Sequence, residues 1–181
     1  MLNQIREKLA NSLISMMDYL LEDLPENSDK FLFLAKQKYQ CGDYDGAVEA
    51  STTVIKNEPN NGEAFYWRCR AKYDRNDTVS ALHDAIRGTE LRPQHEASFY
   101  MLGNIYLRLE NYPNALEAYS NAIELGDETA QMFVGRGYSK FGLKRYQSAL
   151  ADLETGKKMG FDEATLSEYI EEIKSRLEND G

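Results

Sequence analysis

The side chains that could carry chemistry are two histidines, two cysteines and one glycine-flanked arginine. His83 and His95 each lack a second ligand at metal-binding spacing, so we expect solvated residues of a helix or turn. Gly135-Arg136-Gly137 has a trace of the glycine spacing of a phosphate loop, but no predicted strand precedes it. The sequence therefore predicts no catalytic residue, no metal site and no cofactor, and we expect that the chain is not an enzyme.

The two cysteines allow at most one disulfide bond. Cys69 falls among small residues that are expected to face inward, and Cys41 precedes a turn glycine, so we expect reduced thiols. Polar residues interrupt the apolar positions near the N-terminus, which argues against a secretory signal. No stretch approaches the roughly 20 apolar residues that a membrane span requires. These features predict a cytoplasmic protein.

The charge of the chain limits its partners. Its 181 residues fit one domain, and they carry a net charge of -9 with a pI near 4.8. Because binding to phosphates needs a concentrated basic surface, this balance argues against nucleic acid as a partner.

The elements that would position any site come from an internal repeat. Phe31, Phe65, Phe99 and Phe133 recur at a constant step of 34 residues. A small residue follows each phenylalanine by four positions, and an alanine follows it by sixteen; the two columns are Ala35, Cys69, Gly103, Gly137 and Ala47, Ala81, Ala115, Ala149. Small side chains let two helices approach closely. Each copy therefore predicts two short helices joined by a tight turn such as Gly42-Asp43.

The repeat resembles the tetratricopeptide repeat (TPR) family. The third copy carries the pattern best, in Phe99, Leu102-Gly103, Tyr106, Ala115 and Tyr119. Pro59 and Pro93 close the first two copies, whereas Asp127 and Phe161 replace the proline of the last two. The resemblance implies an all-α, right-handed superhelical solenoid of helix-turn-helix repeats with an extra helix at each end. The expected segments are an N-terminal amphipathic helix in 1-27, repeats in 28-61, 62-95, 96-129 and 130-163, and a capping helix and tail in 164-181.

The two ends lie outside the repeat register. Apolar residues from Leu2 to Leu24 follow helical spacing, which predicts an amphipathic helix. It could cap the first repeat, self-associate to form a homodimer, occlude the molecule's own groove or bind a membrane surface; its acidic residues disfavour anionic lipid. Asn27-Ser28 offers an N-cap for the first repeat and Asp162 one for the last helix.

The resemblance implies that the exposed faces of the first helices line a concave groove that binds a partner. Trp, Tyr and Arg anchor many interfaces because they contribute large area and also hydrogen-bond. Some of these rings could instead pack between adjacent repeats. The expected groove residues are Phe33, Lys36, Tyr39, Tyr66, Trp67, Arg70, Tyr73, Tyr100, Met101, Asn104, Arg108, Tyr138 and Phe141.

TPR domains that hold the acidic C-terminus of Hsp70 or Hsp90 use a carboxylate clamp of lysine, asparagine and arginine side chains. Counted from the first repeat, the clamp positions hold Leu32, Lys36, Trp67, Ala97 and Met101, and the alternative register also lacks the set. The sequence therefore argues against an adaptor for those chaperone tails.

The function that we expect is a non-catalytic scaffold or adaptor that binds a peptide or helix of a partner protein. The ligand would offer apolar or aromatic anchors and some acidic groups, which would meet Lys36, Arg70 and Arg108. The alternative is a dedicated co-chaperone or a secretion or assembly chaperone, dimeric through the N-terminal helix. It follows from a resemblance of the small acidic chain and leading helix to chaperones of type III secretion translocators.

Overall fold

The computed structural model describes Ser12, Ser15, Met16 and residues 27–126 and 128–179. Apart from those three early positions, the predicted amphipathic helix of residues 1–24 lies outside the described residues, as do Asp127 and the last two residues. The predictions of capping, dimerisation or groove occlusion by the N-terminal segment therefore remain predictions.

Within the described residues the backbone forms nine α-helices and no strand. In chain order they are α1 (Ser28–Gln40), α2 (Tyr44–Asn57), α3 (Gly62–Asp74), α4 (Thr78–Leu91), α5 (Glu96–Arg108), α6 (Tyr112–Glu124), α7 (Ala130–Gly142), α8 (Tyr146–Lys158) and α9 (Glu163–Asn179). The first helices of the four pairs begin at Ser28, Gly62, Glu96 and Ala130, each 34 residues after the last. The predicted all-α fold of helix-turn-helix repeats is confirmed.

The helices form two compact units, which divide between Leu91 and Arg92. In the first unit α1 packs against α2, α2 against α3 and α3 against α4, and α1 also contacts α3. In the second unit the same consecutive packing joins α5 to α9, and α5 also contacts α7. None of the described helices combines the length and the apolar character needed to cross a membrane.

Polar caps fix where several helices begin. The side chains of Asn27, Asp43, Asn61 and Asp162 accept hydrogen bonds from backbone N–H groups three residues later, at distances of 2.8 to 3.0 Å. Each bond satisfies a donor that the first turn of a helix leaves without a partner. The predicted caps at Asn27 and Asp162 are confirmed.

The turn within each helix pair needs one residue in the left-handed backbone region. Gly42, Asn76, Glu110 and Lys144 occupy this position in successive repeats, with φ values of 83°, 63°, 55° and 59°. Glycine adopts this conformation without steric cost and asparagine adopts it readily, but glutamate and lysine do not. The two turns of the second unit are therefore more strained than the two turns of the first.

The small-residue columns bring the paired helices together. Ala35, Cys69 and the four alanines of the second column are at most 1% exposed. A Cβ atom added at Gly137 would lie 2.7 Å from Cδ2 of Leu153, closer than packed carbon atoms approach. Burial raises the pKa of the Cys69 thiol above its usual value, so this cysteine stays protonated.

A buried carboxylate joins the two helices of the second and fourth repeats. Asp84, 0% exposed, binds Arg68 and Lys72 with N–O distances of 2.7 Å. Two repeats later Asp152 binds Arg136 and Lys140 at the same distance. Arg136 of the glycine-flanked motif is therefore held in an ion pair within its own repeat.

Candidate partner-binding surfaces

Three of the expected groove residues of the first unit surround the guanidinium group of a fourth, Arg70. The Cζ atom of Arg70 lies 4.4 Å from the ring centroid of Tyr39, 5.6 Å from that of Tyr66 and 5.3 Å from that of Trp67. We call these four residues the first-unit corner. Because α1 and α3 pack side by side, Tyr39 of α1 contacts Trp67 and Arg70 of α3.

Arg70 is held by rings and not by a carboxylate. Its Nη1 donates a hydrogen bond to the Tyr66 hydroxyl at 3.3 Å, and no acidic side chain of the described residues forms an ion pair with it. Other cations of this unit do have such partners, since Arg68 and Lys72 bind Asp84 and Arg75 binds Asp45. A guanidinium carries five N–H donors, so Arg70 retains donors for an acceptor on a ligand.

Tyr39 links the corner to the end of α3. Its hydroxyl donates a hydrogen bond of 2.5 Å to Oδ2 of Asp74, and its ring lies 5.6 Å from the rings of Tyr44 and Trp67. Burial, with a further contribution from the hydrogen bond to Asp74, raises the pKa of Tyr39 to about 12. The hydroxyl therefore remains a neutral donor over the whole physiological range.

The first-unit residues differ in how much of their side chain is available. Phe33 is 47% exposed, Lys36 is also exposed, and Tyr39, Tyr66, Arg70 and Tyr73 are partly buried. Trp67, which was expected to contact the ligand, is only 8% exposed, since it packs among Leu34, Ala35 and Ala50 and donates from Nε1 to Glu63 at 3.3 Å. The indole therefore belongs to the core of the first unit, which corrects the expectation that Trp67 contacts the ligand.

In the second unit, fewer of the expected groove residues of α5 are available to a ligand than the sequence suggested. Met101 is 8% exposed, so it too belongs to the core. Asn104 accepts a 2.7 Å hydrogen bond on Oδ1 from the hydroxyl of buried Tyr119, and Tyr100 lies 6.1 Å from the same ring. Arg108 is exposed at the end of the helix. Asn104 therefore positions Tyr119, and its amide oxygen is engaged within the fold.

Two glycines make room for Tyr119. A Cβ atom at Gly103 would lie 2.9 Å from Cδ1 of this ring, and one at Gly135 would lie 2.3 Å from its Cζ. Gly135 of the glycine-flanked motif therefore has a packing role. Gly103 stands in the predicted column of small residues. Gly135 stands in a column that otherwise holds the large residues Phe33, Trp67 and Met101, so the repeat pattern did not predict its packing role.

The last expected groove residues meet the C-terminal helix. Tyr169 of α9 lies 4.6 Å from the ring of Tyr138 and 5.8 Å from that of Phe141, with the latter pair at an interplanar angle of 89°. We call these three residues the second-unit corner. Tyr169 itself is 39% exposed. Tyr169 was not among the expected groove residues, because the segment 164–181 was predicted to be a capping helix and tail.

A cavity of about 360 Å³ opens beside this corner. We call it the α9 cavity; its walls include the corner and Tyr112, and two charged side chains, Arg108 and Glu110, also line it. Gly142 lets Tyr112 take part, because a Cβ atom there would lie 2.5 Å from Cδ1 of that ring. Within the described residues, no group of three or more His, Cys, Asp or Glu side chains is arranged to hold a metal ion.

Comparisons with known proteins give relatives for parts of the chain. The tetratricopeptide repeat family model matches residues 97–126. A UDP-N-acetylglucosamine--peptide N-acetylglucosaminyltransferase of Giardia intestinalis is 34% identical over 77 residues, which are 42% of this chain and 5% of that enzyme. Small glutamine-rich tetratricopeptide repeat-containing protein 2 of Mycosarcoma maydis is 27% identical over 120 residues, which are 66% of this chain and 34% of that protein. The chain thus spans about a third or less of the length of these relatives.

A solved structure extends the likeness to most of the chain. YrrB, described as a TPR protein with an unusual peptide-binding site, has a TM-score of 0.79 at 15% identity, and the match covers 90% of this chain and 84% of that one. At this identity the likeness shows the fold alone. The family match covers one repeat, and the four helix pairs within residues 28–158 recur at the same 34-residue spacing, so the described residues have the fold of tetratricopeptide repeat proteins.

Proposed function

We propose that this protein is a non-catalytic interaction scaffold that binds an extended segment or a helix of a partner protein on the exposed face of its first helices. The observation that carries the proposal is Arg70, a cation that contacts three rings and has no carboxylate partner among the described residues, together with the exposed side chains of Phe33 and Lys36 on α1. Such a surface combines an apolar anchor point with charged donors.

The ligand chemistry follows from these side chains. Phe33 offers an apolar surface, while Lys36 and Arg70 favour an acidic group. Such groups are common in peptides and at protein C-termini. The rings around Arg70 restrict its side chain before a ligand arrives, so less conformational entropy is lost on binding. We therefore expect a peptide with an aromatic or apolar residue next to Asp, Glu or a terminal carboxylate.

The experiment selects peptides from a displayed library and measures the affinity of each selected peptide by fluorescence polarisation. We expect selection of acidic residues next to apolar ones, and a loss of about tenfold in affinity for Arg70→Gln, as is typical of an interface anchor. Phe33→Ser should also weaken binding, because it removes apolar contact area.

The matched control is Arg87→Gln, which removes an arginine of α4 that forms an ion pair with Glu90. This variant should bind the peptides as the wild type does. Circular dichroism and Trp67 fluorescence report whether each variant is folded. Selected peptides without acidic residues, or equal affinities for the wild type and folded Arg70→Gln, would contradict the proposal.

The alternative proposal is a dedicated co-chaperone or assembly chaperone that dimerises through residues 1–24. Sedimentation of the full chain and of a chain without these residues tests it. A dimer that becomes a monomer on truncation supports the alternative, and a monomer in both cases contradicts it.

A further inference from the structure

The α9 cavity borders a pair of rings that also occurs in the first-unit corner. Three repeats after Tyr39 and Trp67, whose ring centroids are 5.6 Å apart, come Phe141 and Tyr169, at 5.8 Å. In the first unit the guanidinium of Arg70 packs against both rings of the pair. In the second unit the corresponding pair lines a cavity. This aromatic wall is therefore accessible to a side chain of another molecule.

The wall of the cavity is mainly aromatic, and its charges are of both signs. Its rings are those of Tyr112 and the second-unit corner, and Leu107 adds an aliphatic side chain. The two charged residues are one arginine and one glutamate, Arg108 and Glu110, so the wall as a whole favours neither an anion nor a cation. Because a charged group that leaves water without a matched partner loses free energy, this wall favours an uncharged ligand.

The size of the cavity suits an aromatic ring. It measures about 360 Å³, whereas an apolar cavity of about 150 Å³ already holds a benzene molecule. Phe141 and Tyr169 meet at an interplanar angle of 89°. Rings prefer such edge-to-face contacts, which stabilise aromatic pairs beyond the effect of the area they bury. A ring from a ligand can extend this arrangement.

Part of the wall is already shielded from water. Leu107, Tyr112, Tyr138 and Phe141 are partly buried. Burial raises the pKa of Tyr138 above its usual value, so its phenol stays neutral at physiological pH. Tyr169 is 39% exposed, so a ring that enters the cavity removes apolar surface of both molecules from water.

We propose that the α9 cavity binds an uncharged aromatic side chain of a partner protein. The assignment to a protein rests on the proposed interaction scaffold, since Arg108, Tyr138 and Phe141 lie on first helices and were expected to face a partner. Phe, Tyr or Trp in the cavity would supply an anchor of large area at a small cost in conformational entropy. The second unit alone builds this site, without Arg70.

The first experiment titrates the full chain with capped Gly-X-Gly tripeptides and follows binding by NMR, with phenylalanine, cyclohexylalanine, lysine or glutamate as X. The phenylalanine peptide should bind at least about tenfold more tightly than the two charged peptides. It should bind about threefold more tightly than the cyclohexylalanine peptide, which has a similar size without an aromatic ring. Addition of about 1 M NaCl should not weaken its binding, because the side chain is uncharged.

Four results would overturn the proposal. They are an absence of binding by the phenylalanine peptide, tighter binding of a charged peptide, equal binding of the cyclohexylalanine peptide, and a loss of affinity in salt. Toluene serves as a probe for a small-molecule source. Tighter binding of toluene than of the phenylalanine peptide would overturn the assignment to a partner protein.

Variants of the wall test the location, each after its fold has been verified by circular dichroism. Tyr112→Leu and Tyr169→Ser each remove a ring and should weaken binding of the phenylalanine peptide about fivefold. Tyr44→Leu is the matched control, because Tyr44 holds the repeat position of Tyr112 two repeats earlier, and it should leave the affinity unchanged. Glu110→Gln should change it by less than about twofold, since the ligand carries no charge. Wild-type affinity in both ring variants would overturn the proposal.

Arg70→Gln separates this proposal from the proposed function. It should leave the affinity for the phenylalanine tripeptide unchanged, and a loss of that binding in the folded variant would overturn the placement in the α9 cavity. If Arg70→Gln does not weaken the selected acidic peptides while Tyr112→Leu weakens the tripeptide, the first-unit surface is contradicted and the α9 cavity is supported.

Discussion

The two aromatic corners occupy equivalent repeat positions, yet the first holds an arginine and the second borders a cavity. Tyr39 and Trp67 enclose Arg70, whereas Phe141 and Tyr169, three repeats later, line the α9 cavity. Each unit also contains a buried carboxylate, Asp84 or Asp152, that binds one arginine and one lysine. We call this cluster of three charged side chains the frame of its unit. The difference teaches that a repeat preserves the backbone positions of its surface while single side chains decide what the surface can bind.

The largest expected effect tests the shared frame. Asp84→Ala would leave Arg68 and Lys72 partly buried without their carboxylate, so it should lower the free energy of unfolding of the first unit by about 3 kcal/mol. Trp67 is the single tryptophan, so its fluorescence during urea unfolding reports on this unit. Asp152→Ala should have a similar effect on the circular dichroism transition; a large difference between the two would break the equivalence of the frames.

The next effect separates two glycines at one repeat position. A Cβ atom at Gly156 would lie 2.5 Å from Cγ2 of Val134, so Gly156→Ala should destabilise the second unit by about 2 kcal/mol. At Gly88 the nearest atom would be 3.9 Å away, and Gly88→Ala should stabilise the first unit by about 0.5 to 1 kcal/mol through helix propensity. Urea unfolding measures both, and effects of the same sign would contradict the structural difference.

A smaller effect concerns the strained turns. Lys144 has a φ of 59°, so Lys144→Gly should stabilise the second unit by about 0.5 to 1 kcal/mol by removing the steric cost of a side chain in this region. Asn76→Gly, at the equivalent turn of the first unit, should change stability by only a few tenths of a kcal/mol, since asparagine tolerates the conformation. Thermal unfolding distinguishes them, and an equal response would show that the turns do not differ in strain.

The smallest effect on stability is expected from the titration of Tyr39, which is partly exposed to water. Its pKa is raised to about 12, so the folded state favours the neutral phenol. This contribution is fully present below the unfolded pKa of about 10 and is lost as the pH rises through about 12. The difference in tyrosinate absorbance between the wild type and Tyr39→Phe should titrate near pH 12; titration near pH 10 would contradict the burial of Tyr39 and its contact with Asp74.

The sequence predicted the fold well because the features that indicate each helix lie within a few residues of it. The phenylalanine ladder and the small-residue columns give the phase of each helix, and the caps at Asn27 and Asp162 follow from side chains next to the helix starts. The binding surface was predicted less completely. Trp67 lies in the column expected to face a ligand, but its burial depends on Leu34 and Ala50, which come from other helices.

Two further features were beyond the reach of the repeat pattern. Tyr119 is buried because both Gly103 and Gly135 lack a side chain, and these residues belong to different repeats. Tyr169 falls in the column of Phe33 and Trp67, but it lies beyond the four predicted repeats, so it was not expected to contribute to the binding surface. The recurrence of Arg, Lys and Asp two repeats apart was present in the sequence and could have revealed the ion pairs of Asp84 and Asp152.

The sequence by itself determined the period, the helix pairs and the face on which each side chain lies, because helical periodicity and capping act over a few neighbouring residues. Only the tertiary structure decided that one aromatic corner is occupied by Arg70 and that the other borders a cavity. The physical reason is that enclosure depends on side chains from more than one helix at once. Spacing along a single chain places each ring on a face, but packing determines which atom the ring meets.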